Sequence, residues 1–230
     1  MKKGIVIIIS LIISVYAVQA QKSYRTTDSE MIFSMSDVKR NGVDLDSEVR
    51  WTMFYHTAGY NNHDITGTFG LFYGLALRNV GFITQDEVIG LTQFSTVKRR
   101  SYSLGLPVGI KIGDLDSDMF IFGGAEYEWM FHYKEKRFEE GEKVSRETDW
   151  FSKKTNRFVP SLYFGLNFKT QLSVTFKYYL NDMMNRSFRD PATGLRPYSD
   201  MDSRIFYISV SKKFRYNRLK EIVKVQGLSI

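Results

Sequence analysis

Apolar side chains recur at every second position through much of the chain, the period of a strand with one face in an apolar medium. Phe69, Leu71, Tyr73, Leu75 and Leu77 share one face; Gly70, Phe72, Gly74, Ala76 and Arg78 share the other. Tyr102, Leu104, Leu106, Val108, Ile110 and Ile112 repeat the pattern against Ser101, Ser103, Gly105, Pro107, Gly109 and Lys111. A longer segment sets Met119, Ile121, Gly123, Ala125, Tyr127, Trp129, Phe131 and Tyr133 against Phe120, Phe122, Gly124, Glu126, Glu128, Met130, His132 and Lys134. Segments 158–168, 172–180 and 206–214 continue the series, with Lys212 the one charge on an apolar face. Weaker alternation at 49–56 and 31–36 brings the predicted strands to eight, an even number that suits a single-chain antiparallel barrel.

The gaps between these segments alternate in length. Turns at Asn61-Asn62-His63-Asp64, Gly113–Ser117 and Lys169–Gln171 are short, whereas 83–97, 135–155 and 182–202 are long; only the first gap, near Asn41-Gly42, breaks the trend. Short turns on one side and long loops on the other are the outer-membrane pattern, with the short turns in the periplasm.

The glycines decide which face points outward. In a soluble lipocalin-like barrel the apolar face lies inside, so Gly70, Gly74, Gly105, Gly109, Gly124 and Gly165 would meet water and pack against nothing. Reversed, the apolar face meets lipid and the glycines make room in a bore just wide enough for side chains. Phe69, Tyr102, Phe131, Tyr133, Phe158, Phe168 and Phe214 then form interfacial girdles, and Lys212 lies near a rim. Pro107 and Pro160 each remove a ladder hydrogen bond, which predicts a bulge or a strand start at each.

The first twenty residues have a different logic. Lys2 and Lys3 precede an apolar stretch that ends at Val18-Gln19-Ala20, the three-part form of a secretory signal. The stretch is short for a spanning helix, which needs roughly 20 apolar residues. The expected organisation is a signal peptide at 1–20, the barrel at 21–215 and a basic tail at 216–230. The fold class is thus all-β: an eight-stranded antiparallel up-and-down transmembrane barrel behind an N-terminal signal peptide, localised to a bacterial outer membrane.

Composition adds a few exclusions. The chain has no cysteine, which removes disulfides, thiol nucleophiles and thiolate metal sites. Its net charge of +7 is scattered, so a nucleic-acid partner is not indicated, and contact with anionic lipid headgroups accounts better for the excess.

Glu30-Met31-Ile32-Phe33-Ser34, the run from Phe72 to Phe82 and the run from Leu104 to Lys111 resemble the Bacteroidetes-type (PorT-like) outer-membrane β-barrel domain, similar in architecture to small OmpA/OmpX-type barrels. The resemblance spans Glu30 to about Phe214 and implies the fold; it implies no functional residue.

The candidate chemistry lies on the inner face. Arg50, Arg78, Lys111, Glu126, Glu128 and Lys177 point inward by the pattern. Charges there must be paired or hydrated, so they predict a salt-bridged plug, or else a small ion path along it. Glu126 and Glu128 project together beside the cationic strand that carries Lys111. The histidines, His56, His63 and His132, sit in no nucleophile motif, and His63-Asp64 reads as a turn, not a metal site, so no catalytic residue, metal or cofactor is expected; the expected role is structural or interaction, with a small-solute channel or transporter as the alternative and an outer-membrane lipid-modifying enzyme third. The expected partners are outer-membrane lipid, the export and barrel-assembly machinery, and an extracellular ligand held by the long loops. Trp150-Phe151 and Phe188, Pro191, Gly194, Pro197 and Tyr198 either grip such a ligand or fold onto the barrel mouth.

Overall fold

The computed structural model describes residues 22–53, 56–89 and 92–216. The signal at 1–20 and the tail beyond Tyr216 lie outside these residues. The strands are β1 (Lys22–Arg40), β2 (Val43–Asp44), β3 (Ser47–Glu48), β4 (Arg50–Thr52), β5 (Thr57–Asp64), β6 (Phe69–Ile89), β7 (Thr92–Asp114), β8 (Met119–Glu139), β9 (Glu142–Trp150), β10 (Phe158–Asn167), β11 (Leu172–Tyr179) and β12 (Met201–Arg215). All pairings are antiparallel, and β1, β5, β6, β7, β8, β10, β11 and β12 follow one another round a ring that the β10–β8 pairing closes. The short β2, β3 and β4 pair with β1 or β6, and β9 pairs with β8 beside the ring.

The polarity of the wall is inverted relative to a soluble protein. Leu106 is 58% exposed and Phe164 63%, whereas Glu128 is 0% and Lys177 1%. On β7 the outward run from Tyr102 to Ile112 covers ten residue steps, about 25 Å of height at ~3.4 Å per residue and ~40° of tilt, which matches the apolar band of outer-membrane barrels. Lys212 is exposed and donates to the Thr170 carbonyl at 3.3 Å, at the turn between β10 and β11, so it does lie at a rim.

Several boundaries differ from the sequence pattern. Asn61 to Asp64 are the end of β5, not a turn; the turn follows, where Ile65 and Thr66 donate to the Phe69 carbonyl. Turn-forming residue types are held in the strand by cross-strand partners: Arg25 Nε donates to Asn61 Oδ1 at 3.1 Å, and Asn62 Nδ2 to Thr26 Oγ1 at 3.1 Å. The second ring strand is irregular, since Ser29 faces Thr57 while Ile32 faces Thr52, three steps on β1 against five opposite.

Pro107 sits mid-strand without a bulge. It faces Glu126 in unbroken register, and the β6 ladder passes from Tyr73↔Val108 to Ala76↔Gly105, skipping the positions beside the missing N–H. Pro160 is the third residue of β10, near the strand start that was expected. The bulge lies elsewhere: Tyr102 faces His132 but Ser103 faces Met130, leaving Phe131 as the extra residue of β8. Beyond it the faces of β8 exchange. Tyr133 and Glu135 are buried inside, and His132 and Lys134 turn out, opposite to the expectation that Tyr133 belongs to the girdle and His132 and Lys134 to the bore.

Two of the long gaps are strand. β6 and β7 continue as one hairpin to Ile89 and Thr92, and β8 turns into β9 at Glu140-Gly141. Both turn residues have positive φ (49° and 85°), as do Asn41 and Gly42 (51° and 76°), the geometry of the two-residue hairpin turn. The third gap folds inward. Met183, Met184 and Tyr198 join Ile32, Val80, Phe82, Met130 and Tyr207 in an apolar core that fills the outer half of the bore, and Phe188 packs against it.

Candidate functional site

The centre of the bore is a continuous chain of ion pairs. Arg78 on β6 donates from Nε to Glu30 Oε2 at 2.8 Å and from Nη1 to Glu126 Oε1. Lys177 on β11 donates to Glu126 Oε2 at 2.7 Å and to Glu128 Oε1. Ser209 closes one end on Glu30 Oε1 at 2.9 Å, and Ser103 the other on Glu128 Oε2 at 2.5 Å. Both oxygens of each carboxylate are engaged, and the chain ties β1, β6, β7, β8, β11 and β12 together. Glycine makes this possible, since a methyl group on Gly105 would overlap the Glu126 carboxylate. Gly105→Ala therefore displaces Glu126 from both cations, and the expected result is a loss of about 1–3 kcal/mol, read as a lower urea midpoint in lipid vesicles.

The predicted inner charges thus divide. Arg78, Glu126, Glu128 and Lys177 come together. Lys111 does not join Glu126 and Glu128, although β7 lies beside them. It pairs with Asp64 at 2.5 Å and donates to the Tyr24 hydroxyl at 3.0 Å, near the short-turn end. Arg50 stands apart on β4, donating to the Asn79 carbonyl and Oδ1 at 3.1 and 2.8 Å. Glu30 was missed because the sequence pattern starts the first strand too late; the same parity carried back from Ile32 reaches Glu30, Asp28, Thr26 and Tyr24, all buried.

A second cluster caps the barrel beyond the apolar belt. Arg99 holds Glu87 with two nitrogens, at 2.6 and 2.8 Å, and Glu135 through Nε at 2.9 Å. Arg40 also reaches Glu87 at 3.0 Å, and Arg137 reaches Glu135 at 2.7 Å. Burial opposes the charge on Glu135, but Arg99, Arg137 and the Tyr133 hydroxyl outweigh it and hold its pKa down at about 2. Glu87 is lowered likewise: Arg99 overcomes its burial, with help from Thr84 and Arg40.

The histidines converge on nothing. His56 is inside, bonded to Thr52 Oγ1 at 3.1 Å and to the Asn79 N–H at 3.2 Å. His63 meets Ser23 Oγ at 3.0 Å, yet Asp64 turns away to Lys111, so no carboxylate orients the ring. His132 lies against Trp150 outside, with ring centres 4.4 Å apart. Among the described residues no group of three His, Asp or Glu could hold a metal ion.

Between the Glu30–Glu128 chain and the short-turn end, a cavity of about 30 Å³ remains, lined by Tyr60, Phe72, Tyr163 and the ion pairs. That holds about two waters.

A closed ring with an apolar exterior and an ionised, filled bore defines a small transmembrane β-barrel of the bacterial outer-membrane type. No protein-family model matches the chain, and no curated protein matches it. Among solved structures it is similar to Ail, the attachment invasion locus protein of Yersinia pestis (11% identity over 83% of this chain and 99% of that one, TM-score 0.36). It is also similar to Neisserial surface protein A (10% identity, 84% and 100% covered, TM-score 0.40) and to OprG from Pseudomonas aeruginosa (12% identity, 84% and 95% covered, TM-score 0.34). No residue or activity is carried over from them.

Proposed function

We propose that the protein is an integral outer-membrane barrel with a structural or interaction role and no catalytic one. The observation that carries this reading is the filled bore. The ion-pair chain occupies its middle, and the apolar core with Met183, Met184 and Tyr198 closes its outer half. A small-solute channel would need a continuous wet path, and the two-water cavity is not one. What the barrel offers outward are its hairpins: from Arg78 to Ile89, β6 runs eleven residue steps past the middle of the wall, roughly 35 Å along the strand. An extracellular ligand held there fits this reading, as does kinship with the Bacteroidetes-type (PorT-like) barrels, whose resembling runs fall on β1, β6 and β7.

Reconstituted in planar bilayers, the protein is expected to give no unitary conductance above the lipid baseline. Steady ohmic steps would overturn the plugged-barrel reading in favour of a channel.

A further inference from the structure

Beyond the bulge at Phe131, the outer face of β7, β8 and β9 is cationic. Lys98 faces Lys136, which faces Arg146; Arg100 faces Lys134; Lys143 lies one row further out, opposite Phe138. Like charges directly opposite one another destabilise a sheet. No carboxylate among the described residues lies within salt-bridge distance of any of the six, and only aromatic rings answer them: Lys98 lies 5.2 Å from the Phe138 ring centre and Arg100 5.8 Å from that of Tyr102.

The other face of the same strands is the opposite case. There Arg99 and Arg137 are matched to Glu87 and Glu135. Of the acids in this part of the fold, Glu87 and Glu135 are placed inside, and the exposed Glu139, Glu140 and Glu142 sit at the hairpin tip; none is paired to the cationic rows. The outer repulsion is thus confined to one side, and it calls for an anionic partner on that side.

Position selects the partner. The cationic rows start directly above an aromatic row in which Tyr102, Phe131 and Trp150 stack in succession, at 6.4 and 6.0 Å, with Trp150 62% exposed. Such rings mark the membrane–water boundary. Each further row adds two residues, about 5 Å of height at ~40° tilt. The Arg100–Lys134 row then falls inside the polar headgroup layer, about 5–7 Å deep, and the Lys98–Lys136–Arg146 row at its outer limit.

We propose that this face of β7, β8 and β9 is a docking surface for phosphate-bearing lipid headgroups of the surrounding outer leaflet. The proposal rests on the membrane reading above and adds to it a defined lipid chemistry and a place on the wall.

The test compares the full-length protein with the variant Lys98→Gln/Lys134→Gln/Lys136→Gln/Arg146→Gln. Both are reconstituted in phosphatidylcholine vesicles doped with bis-phosphorylated lipid A or with the same lipid A dephosphorylated. After mild extraction, retained lipid is counted by native mass spectrometry. The wild type is expected to retain the phosphorylated form at least about tenfold over the dephosphorylated one, and the variant to lose that preference. In neutral detergent the variant should melt no lower than the wild type, because its like-charge pairs are gone; that arm separates lost binding from misfolding. Equal retention of the two lipids, or equal preference in the two proteins, overturns the proposal while leaving the barrel reading intact. Capture of a soluble polysulfated glycan by the wild type, without lipid preference, overturns it in favour of a soluble polyanion. Failure to enter vesicles at all overturns both readings.

Discussion

Arg78→Ala should lower the free energy of unfolding by about 3–5 kcal/mol, the cost of stripping one partner from a buried charge network. The effect is unequal across the three carboxylates. Glu128 keeps Lys177 and Ser103, and Glu126 keeps Lys177, but Glu30 retains only the Ser209 hydroxyl. A buried carboxylate with one neutral donor is the largest single penalty in that count. Urea unfolding in lipid vesicles, followed by the mobility shift of unheated samples on gels, gives the number. Arg78→Ala combined with Glu30→Gln should recover a good part of the loss, since no unpaired charge then remains at the β1 end. An Arg78→Ala midpoint equal to the wild type's would mean that the chain of ion pairs does not stabilise the barrel.

This network was half legible in the sequence. Arg78, Glu126, Glu128 and Lys177 lie on strands whose other face is strongly apolar, so a period of two marks them as inward without any structure. Their actual pairing was not legible. Arg78 and Glu126 sit on strands separated by β7, and they meet only because Gly105 on that intervening strand leaves an opening. The sequence pattern makes β1 short because its inner face before Ile32 carries Tyr24, Thr26, Asp28 and Glu30, which dilute the hydrophobic signal. The bulge at Phe131 was invisible. An apolar residue continues the alternation whether or not it is the extra one, so Tyr133 was placed in the girdle when it lies inside.

The hairpin extensions were missed for a related reason. Above the membrane neither face of a strand needs to be apolar, so the hydrophobic period vanishes while the ladder continues. A charge period was present instead. Lys98, Arg100, Lys134 and Lys136 point one way, and Arg99 and Glu135 point the other. Read with a period of two, residues 83–89, 92–97, 135–139 and 142–150 are strand, and Arg99 pairs with Glu87 and Glu135 on the inner face.

That core gives the second large effect. Arg99→Ala should cost about 3 kcal/mol, at the lower end of the range for broken buried networks, because Glu87 keeps Arg40 and Glu135 keeps Arg137. The loss should be local. The cap lies beyond the lipid belt, so the hairpins open while the ring stays closed, and limited proteolysis at pH 7 should cut the variant within 83–97 and 135–155 and spare the wild type. Acid should produce the same opening in the wild type. The Glu135 carboxyl has a folded pKa of about 2 against an ordinary value of 4.5. A depressed folded pKa means that its contribution is fully present above about pH 4.5 and is lost as the pH falls toward 2, and each pKa unit is worth about 1.4 kcal/mol, or about 3 in total. Glu87 is shifted in the same direction and adds to the loss in acid. An acid-resistant protease, applied to the folded barrel from pH 5 down to pH 2, should therefore find the hairpins progressively cleavable in the wild type. In Arg99→Ala they are cleavable from the start, with a shallower dependence on pH. Hairpins that resist cleavage across that range in both proteins would show that the extensions are held by the backbone ladder alone, with the buried arginine contributing nothing to their closure.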